Sequence, residues 1–414
     1  PLISDYPCAR NRRWAEEFLS NDNQVAGEAS ASPAFKKTAF ATLIFSHAIN
    51  DMSGAFFAPL APLITKEFGL SLTAIGLIMT IRSFASSLPQ TLFGWLIDRH
   101  PSRWWLLSTP LVVGVSGTAI GFAAGFWSLT AMLSVGALGA ACYHPAAASM
   151  ARDISAGRRG LVMSIYVASG RIGHAIGPII ALSLVSLLGL KGLVFALSLY
   201  ALSGAALARF APVPAAKEAA PSGKEAPSKF PRKNRWPLAI LYATTIFRNM
   251  VMINLYGFLP LYFAARGETL WEGGAALTLL LLSGASGGIV GGWLSDRFGR
   301  KAVIVFSAAA VAPLLLLFLR AEGVMQFVLI PPLGIFTHAV MGVRMAYAQE
   351  LMPGSPALAA GIMQGGNWFI SGATLAATGA IGDMWGLDFA LGLLSVVAAI
   401  EVVISLALPK DGRG

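Results

Sequence analysis

His47 and Asp51 stand four residues apart in an apolar stretch, so helical spacing puts them on one face, with Asn50 beside them. An imidazole and a carboxylate so placed can hold or pass a proton. Two ligands are too few for a metal site, and none is assigned. Arg171 and His174, three apart, share a face in the same way. Other polar residues lie in equally apolar surroundings: Arg82, His144 before Pro145, Arg248 with Asn249 and Asn254, His338, Arg344, Gln364, Asn367 and Glu401. A charged side chain deep in hydrocarbon costs at least ~2.5–3.5 kcal/mol on insertion scales, so such residues face a cavity or a partner. Arginines 82, 171, 248 and 344 against the carboxylates of Asp51 and Glu401 leave positive charge over. That balance suits an anion, because guanidinium meets carboxylate, phosphate or phosphonate through paired hydrogen bonds.

The candidate substrate contacts are therefore Arg82, His144, Arg171, Arg248, Asn50, Asn249 and Asn367, and the candidate proton carriers are Asp51, His47 and His174. Arg344 lies near the end of its stretch and reads as a snorkelling, topology-setting residue. His338 and Glu401, without local partners, read as satisfied interior residues.

The elements that must position these groups are membrane helices. The chain is 56% hydrophobic and 12% charged, far from a soluble balance. Twelve stretches are long enough to cross a bilayer: 38–64, 72–97, 104–126, 128–151, 160–188, 192–210, 237–264, 273–295, 302–320, 324–347, 357–382 and 388–408. Residues 211–236, rich in Pro, Ala, Lys and Glu, read as a cytoplasmic linker between six-helix halves at 38–210 and 237–408. Residues 1–37, without the apolar core of a signal peptide, read as a cytoplasmic tail, and 409–414 as another.

Lysine and arginine concentrate in the loops after even-numbered spans, which places those loops and both termini in the cytoplasm of an inner (plasma) membrane protein. The net charge of +10 is thereby read as a topology signal rather than a nucleic-acid surface. Cys8 and Cys142 make no disulfide framework or metal motif, and no cofactor is expected. No G-x-x-x-x-G-K-[ST] occurs, which points to an ion gradient as the energy source.

A repeat ties the halves together. Gly292 to Lys301 (G-W-L-S-D-R-F-G-R-K) has a degenerate copy at Gly94 to Arg103 (G-W-L-I-D-R-H-P-S-R), 198 residues earlier. The same shift sets Asn50 and Asp51 against Arg248 and Asn249, which suggests an ion pair between Asp51 and an arginine. Both copies resemble the signature loop between the second and third helices of each half in the major facilitator superfamily. In that resemblance Gly94 and Gly292 allow close helix approach, and Asp98 and Asp296 face a helix N-terminus. Arg99, Arg297 and Arg300 hold the turn at the membrane surface. Gly173-His-Ala-Ile-Gly177-Pro178 resembles the G-x-x-x-G-P element of the superfamily's antiporters. His47-Ala-Ile-Asn50-Asp51, Gly136 to Pro145, and Arg158 to Ser164 resemble the fosmidomycin-resistance group of efflux proteins.

These residues and resemblances lead to an all-α membrane protein of twelve helices in two pseudo-symmetric halves. The expected activity is proton-coupled export of small organic anions by alternating access, from a monomer in the bilayer that binds no nucleic acid. Within transport, export of a metal chelate or carboxylate siderophore and import of organic anions stay open. Outside it stands a non-transporting anion sensor. An enzyme is not expected, since no nucleophile–base arrangement is visible.

Overall fold

Pro59 decides how the chain enters the bundle. It has no N–H to offer the Ala55 carbonyl, so the first span breaks into α1 (Lys37–Gly54) and α2 (Phe57–Phe68). Two tight turns bridge them, Ala55 N–H to Met52 O and Phe56 N–H to Ser53 O, both 3.1 Å. Gly69, at φ 61°, ends α2 in the left-handed conformation that glycine adopts without strain.

The computed structural model describes residues 37–100, 102–155, 159–211, 234–352 and 356–409. The expected tails, apart from Lys37 and Pro409, lie outside these residues, as does most of the linker. After α2 come α3 (Leu72–Arg99), α4 (Trp104–Leu107), α5 (Thr109–Thr118), α6 (Phe126–Asp153), α7 (Arg159–Leu188) and α8 (Leu197–Phe210). The second half holds α9 (Arg235–Ala265), α10 (Leu270–Phe298), α11 (Arg300–Arg320), α12 (Val324–His338), α13 (Met341–Leu351), α14 (Pro356–Trp385) and α15 (Leu387–Leu406). Ten continuous segments are long and apolar enough to span a bilayer. The broken α1–α2 and the 30-residue α14 complete twelve spans in two halves. No strand occurs among the described residues.

The halves meet along α3 and α14, and among the described residues polar links join these two helices from one end to mid-depth. At the face bearing the loops after odd-numbered spans, the Asp383 carboxylate accepts from the Leu72 and Thr73 N–H groups (2.8 Å each) and the Thr73 hydroxyl (2.5 Å). It thus satisfies free donors at the α3 N-terminus from the opposite half. Deeper in, Thr80 Oγ1 donates to Gly372 O at 2.8 Å, Ser83 Oγ donates to Trp368 O at 3.2 Å, and Phe84 packs on Phe369. Small residues allow this approach: a Cβ on Gly76 would lie 2.9 Å from the Leu375 carbonyl carbon. Asp383→Ala is expected to loosen this face. Losing a helix cap costs about 0.5–2 kcal/mol. Thiol labelling of a cysteine at position 80 should accordingly quicken by about 2- to 30-fold; an unchanged rate would mean that the cap does not hold the halves together.

The repeated loops differ from expectation at their glycines. Asp296 pairs with Arg300 at 2.7 Å, and Arg300 reaches on to Glu350 at 3.2 Å, so its charge links α11 to α13. Asp98 is exposed, and Arg99 lies over the Trp95 ring at 4.3 Å. At the other face Asp383 caps a helix across the halves. Gly292 meets no atom within 4 Å of a built Cβ, and Gly94 meets only Pro145 at 3.8 Å. The close approach falls one residue earlier, at Gly291, whose Cβ would sit 2.6 Å from the Ala339 carbonyl carbon.

Candidate functional site

The break in the first span creates the site. The Asp51 and Gly54 carbonyls, at the end of α1, accept from side chains instead of serving a continuous helix alone. His174 Nδ1 hydrogen-bonds Asp51 O at 3.1 Å. Gly54 O takes Arg82 Nη2 at 2.9 Å and the Tyr256 hydroxyl at 2.8 Å. Tyr256 belongs to the second half and stacks on His174, with ring centroids 5.1 Å apart. Arg82 is ten residues into α3, about 15 Å from its start at 1.5 Å per residue. One backbone oxygen near mid-membrane thus joins both halves.

Three glycines bring α7 against α1. A Cβ on Gly173 would lie 2.6 Å from the Ala48 carbonyl carbon, and one on Gly177 2.5 Å from Met52 O. One on Gly170 would lie 2.5 Å from His47 Cε1. Spacings of three and four keep them on one helix face. The approach lets the His47 ring stack on Tyr166 at 3.9 Å, while His47 Nδ1 lies 2.7 Å from the Tyr166 carbonyl oxygen. A carbonyl only accepts, so Nδ1 carries a hydrogen, and Nε2 is an acceptor in the neutral ring and a donor in the imidazolium. That nitrogen faces Asp51 Oδ2 at 3.3 Å. With the ring neutral, two acceptors in that position repel unless a cation, a proton included, stands between them.

The other carboxylate oxygen of Asp51 accepts from Asn50 Nδ2 at 3.0 Å and lies 3.8 Å from His144 Nε2. His144, on α6, has a side chain 34% exposed, and that of Asp51 is 21% exposed. The structure therefore brings together five of the expected residues, His47, Asn50, Asp51, His144 and His174, with Arg82 beside them. Arg171, one turn from His174, lies against α10 at Gly288 and reaches Met341 Sδ at 3.3 Å. Among the described residues no carboxylate pairs with Arg82 or Arg171.

Arg248 is elsewhere. Its Nε and Nη2 grip Glu401 at 2.8 and 2.9 Å, and its Nη1 donates to Ser307 Oγ at 3.0 Å and Phe336 O at 2.6 Å. Arg344 donates to the same carboxylate. All three side chains are sealed, Glu401 completely. The expected pairing of Asp51 with Arg248 is thus corrected: Glu401 has taken the arginine, and Asp51 is served by imidazoles. Arg344 does not snorkel, because its charge is satisfied inside the bundle. Asn249 is buried beside Arg248, and Asn367 spends its amide on Met363 O and Ser371 within its own helix. Tyr256, Tyr166 and Gly170 escape a reading of sequence, since an aromatic or a glycine in an apolar helix has no distinguishing pattern.

A bundle of twelve spans in two halves, with ionisable side chains held at mid-depth, defines a membrane carrier. The chain belongs to the Major Facilitator Superfamily, whose family model matches residues 43–330. It is 29% identical over 405 residues to the fosmidomycin resistance protein of Escherichia coli, covering 95% of this chain and 98% of that one. A probable sulfoacetate transporter, SauU, of Cupriavidus necator is 26% identical over 259 residues, covering 58% of this chain and 60% of that one. Among solved structures, a bacterial homologue of the human lysosomal transporter Spinster, inward-facing and occupied, superposes with a TM-score of 0.77. It is 16% identical and covers 92% of this chain and 97% of that one, a likeness of fold.

Proposed function

We propose that the protein is a proton-coupled exporter of small organic anions bearing phosphonate, phosphate or carboxylate groups, working by rocking of its two halves. Arg82 and Arg171 carry this reading: both are half-buried neighbours of His174, and among the described residues no carboxylate neutralises either. An anion between them would gain two charge-assisted contacts, with Asn50 and His144 nearby. The names of the relatives fit: one is tied to drug resistance, and sulfoacetate, attached to the other, carries two anionic groups. A proton is the cation we place between His47 and Asp51, with His174 beside them. Lysine and arginine asymmetry puts the even loops and both termini in the cytoplasm of the inner membrane. The polar links at the Asp383 face then close the outside, and the site opens inward.

Proteoliposomes test this with radiolabelled phosphonates, phosphates, sulfonates and carboxylates under an imposed pH gradient. A hydrogen bond to a charged group is worth about 1.5–3 kcal/mol, so Arg82→Ala and Arg171→Ala should each slow anion exchange at least ~10-fold. Asp51→Asn should retain exchange but lose its response to the gradient. Gradient-driven uptake equal to wild type in Asp51→Asn would remove that residue from coupling. Saturable anion binding without any exchange would make the protein a sensor.

A further inference from the structure

We infer that His47, Asp51 and His144 form a binding site for a divalent first-row transition-metal ion such as Zn²⁺ or Co²⁺. Sequence offers two of these ligands on one helix; the packing of α6 against α1 supplies the third. One ligand atom from each residue lies within 4.8 Å of the others. His47 Nε2 is 3.3 Å from Asp51 Oδ2, and His144 Nε2 is 3.8 Å from Asp51 Oδ1. Metal bonds of about 2.0–2.1 Å in tetrahedral array separate ligand atoms by about 3.3–3.5 Å. The first pair already stands at that spacing; His144 is nearer the other carboxylate oxygen, and its partly exposed ring would swing inward to close a set that now spans up to 4.8 Å.

The surroundings suit a cation as well. Tyr166 O fixes the hydrogen of His47 on Nδ1, leaving the Nε2 lone pair aimed at Asp51, the arrangement that outer-shell carbonyls impose on metal-binding imidazoles. Asn50 Nδ2 holds the carboxylate from the other side. Gly170 keeps the space before these atoms open, since a Cβ there would stand 2.7 Å from His47 Nε2. Two imidazoles and one carboxylate favour zinc, cobalt or nickel over calcium or magnesium. Three protein ligands leave a coordination place open, and an anionic chelator could fill it with its remaining charge toward Arg82. The inference concerns binding: a metal ion would displace the proton placed between His47 and Asp51, and the site holds whatever molecule is transported.

The test uses full-length protein in detergent with no affinity tag. Co²⁺ titrated into it should give the visible absorption bands of a low-coordinate site, saturate at one ion per chain, and be displaced by Zn²⁺ but not by Mg²⁺. Outer-shell losses alone weaken metal sites by about 10–100-fold. His144→Ala and Asp51→Asn, which remove ligands, should therefore raise the Zn²⁺ dissociation constant by at least ~100-fold in calorimetry. His338→Ala, off the site, should leave it unchanged. His144 is partly exposed and its truncation opens no sealed core, so this variant keeps the test alive if Asp51→Asn folds poorly. Absence of a saturable Co²⁺ or Zn²⁺ site in the wild-type protein, or undiminished binding in His144→Ala, would overturn the inference. Metal binding intact beside absent anion exchange would sink the transport reading alone.

Discussion

Glu401→Ala should destabilise the folded protein by about 3–5 kcal/mol, the cost of leaving buried charge without its partner. The carboxylate is wholly buried and holds two guanidiniums, Arg248 through both of its oxygens and Arg344 through one. Without it, two positive charges face each other in the dry interior of the second half. Glu401→Gln preserves the volume and one acceptor but still leaves both cations, so it should lose most of the same stability. Arg344→Met is the informative contrast. It leaves a neutral Arg248–Glu401 pair and removes a guanidinium whose Nε is already unsatisfied, so its effect should be much smaller. Thermal unfolding of the three variants in detergent orders them. A Glu401→Gln protein that melts with the wild type would show that the network is not needed for folding.

The second large effect is steric. Gly173→Leu places a side chain where the Ala48 backbone of α1 already runs, with the first carbon 2.6–2.7 Å from that residue's carbonyl and α carbons. A backbone cannot rotate away as a side chain does, so the two helices must separate. Overpacking costs about 1–3 kcal/mol when side chains can adjust, and this substitution belongs at or above the top of that range. The same displacement draws His47 from the Tyr166 carbonyl, so whatever protein survives should lose transport as well. Gly292→Leu is the control, because its built Cβ meets nothing within 4 Å. Folded yield and exchange rate in proteoliposomes check the pair; equal behaviour would mean that α1 and α7 are not held by glycine contact.

How far the residues announced this arrangement depended on distance along the chain. His47 with Asp51, and Arg171 with His174, were legible because one helical turn fixes their neighbourhood. The two halves were legible because a charged ten-residue phrase recurs 198 positions later. The partnership of Arg248 with Glu401 was not, since 153 residues and the packing of α9 on α15 lie between them. The repeat even misled, for it matched Asp51 with an arginine whose charge had been claimed elsewhere. Pro59 carried a visible signal for the break in the first span, yet hydropathy alone runs straight through it. Gly291 and Gly292 are adjacent, and only the rotation of α10 decides which of them meets Ala339 at the end of α12.

Three ions share the closed network of the second half, two cationic and one anionic, so a single unit of positive charge remains there. Counter-ions from the medium have no route to it, and mobile salt weakens a sealed charge far less than one at the surface. A negatively charged solute at the centre of the carrier would feel a pull that barely fades as ionic strength rises. Capture by surface lysines has no such immunity to brine.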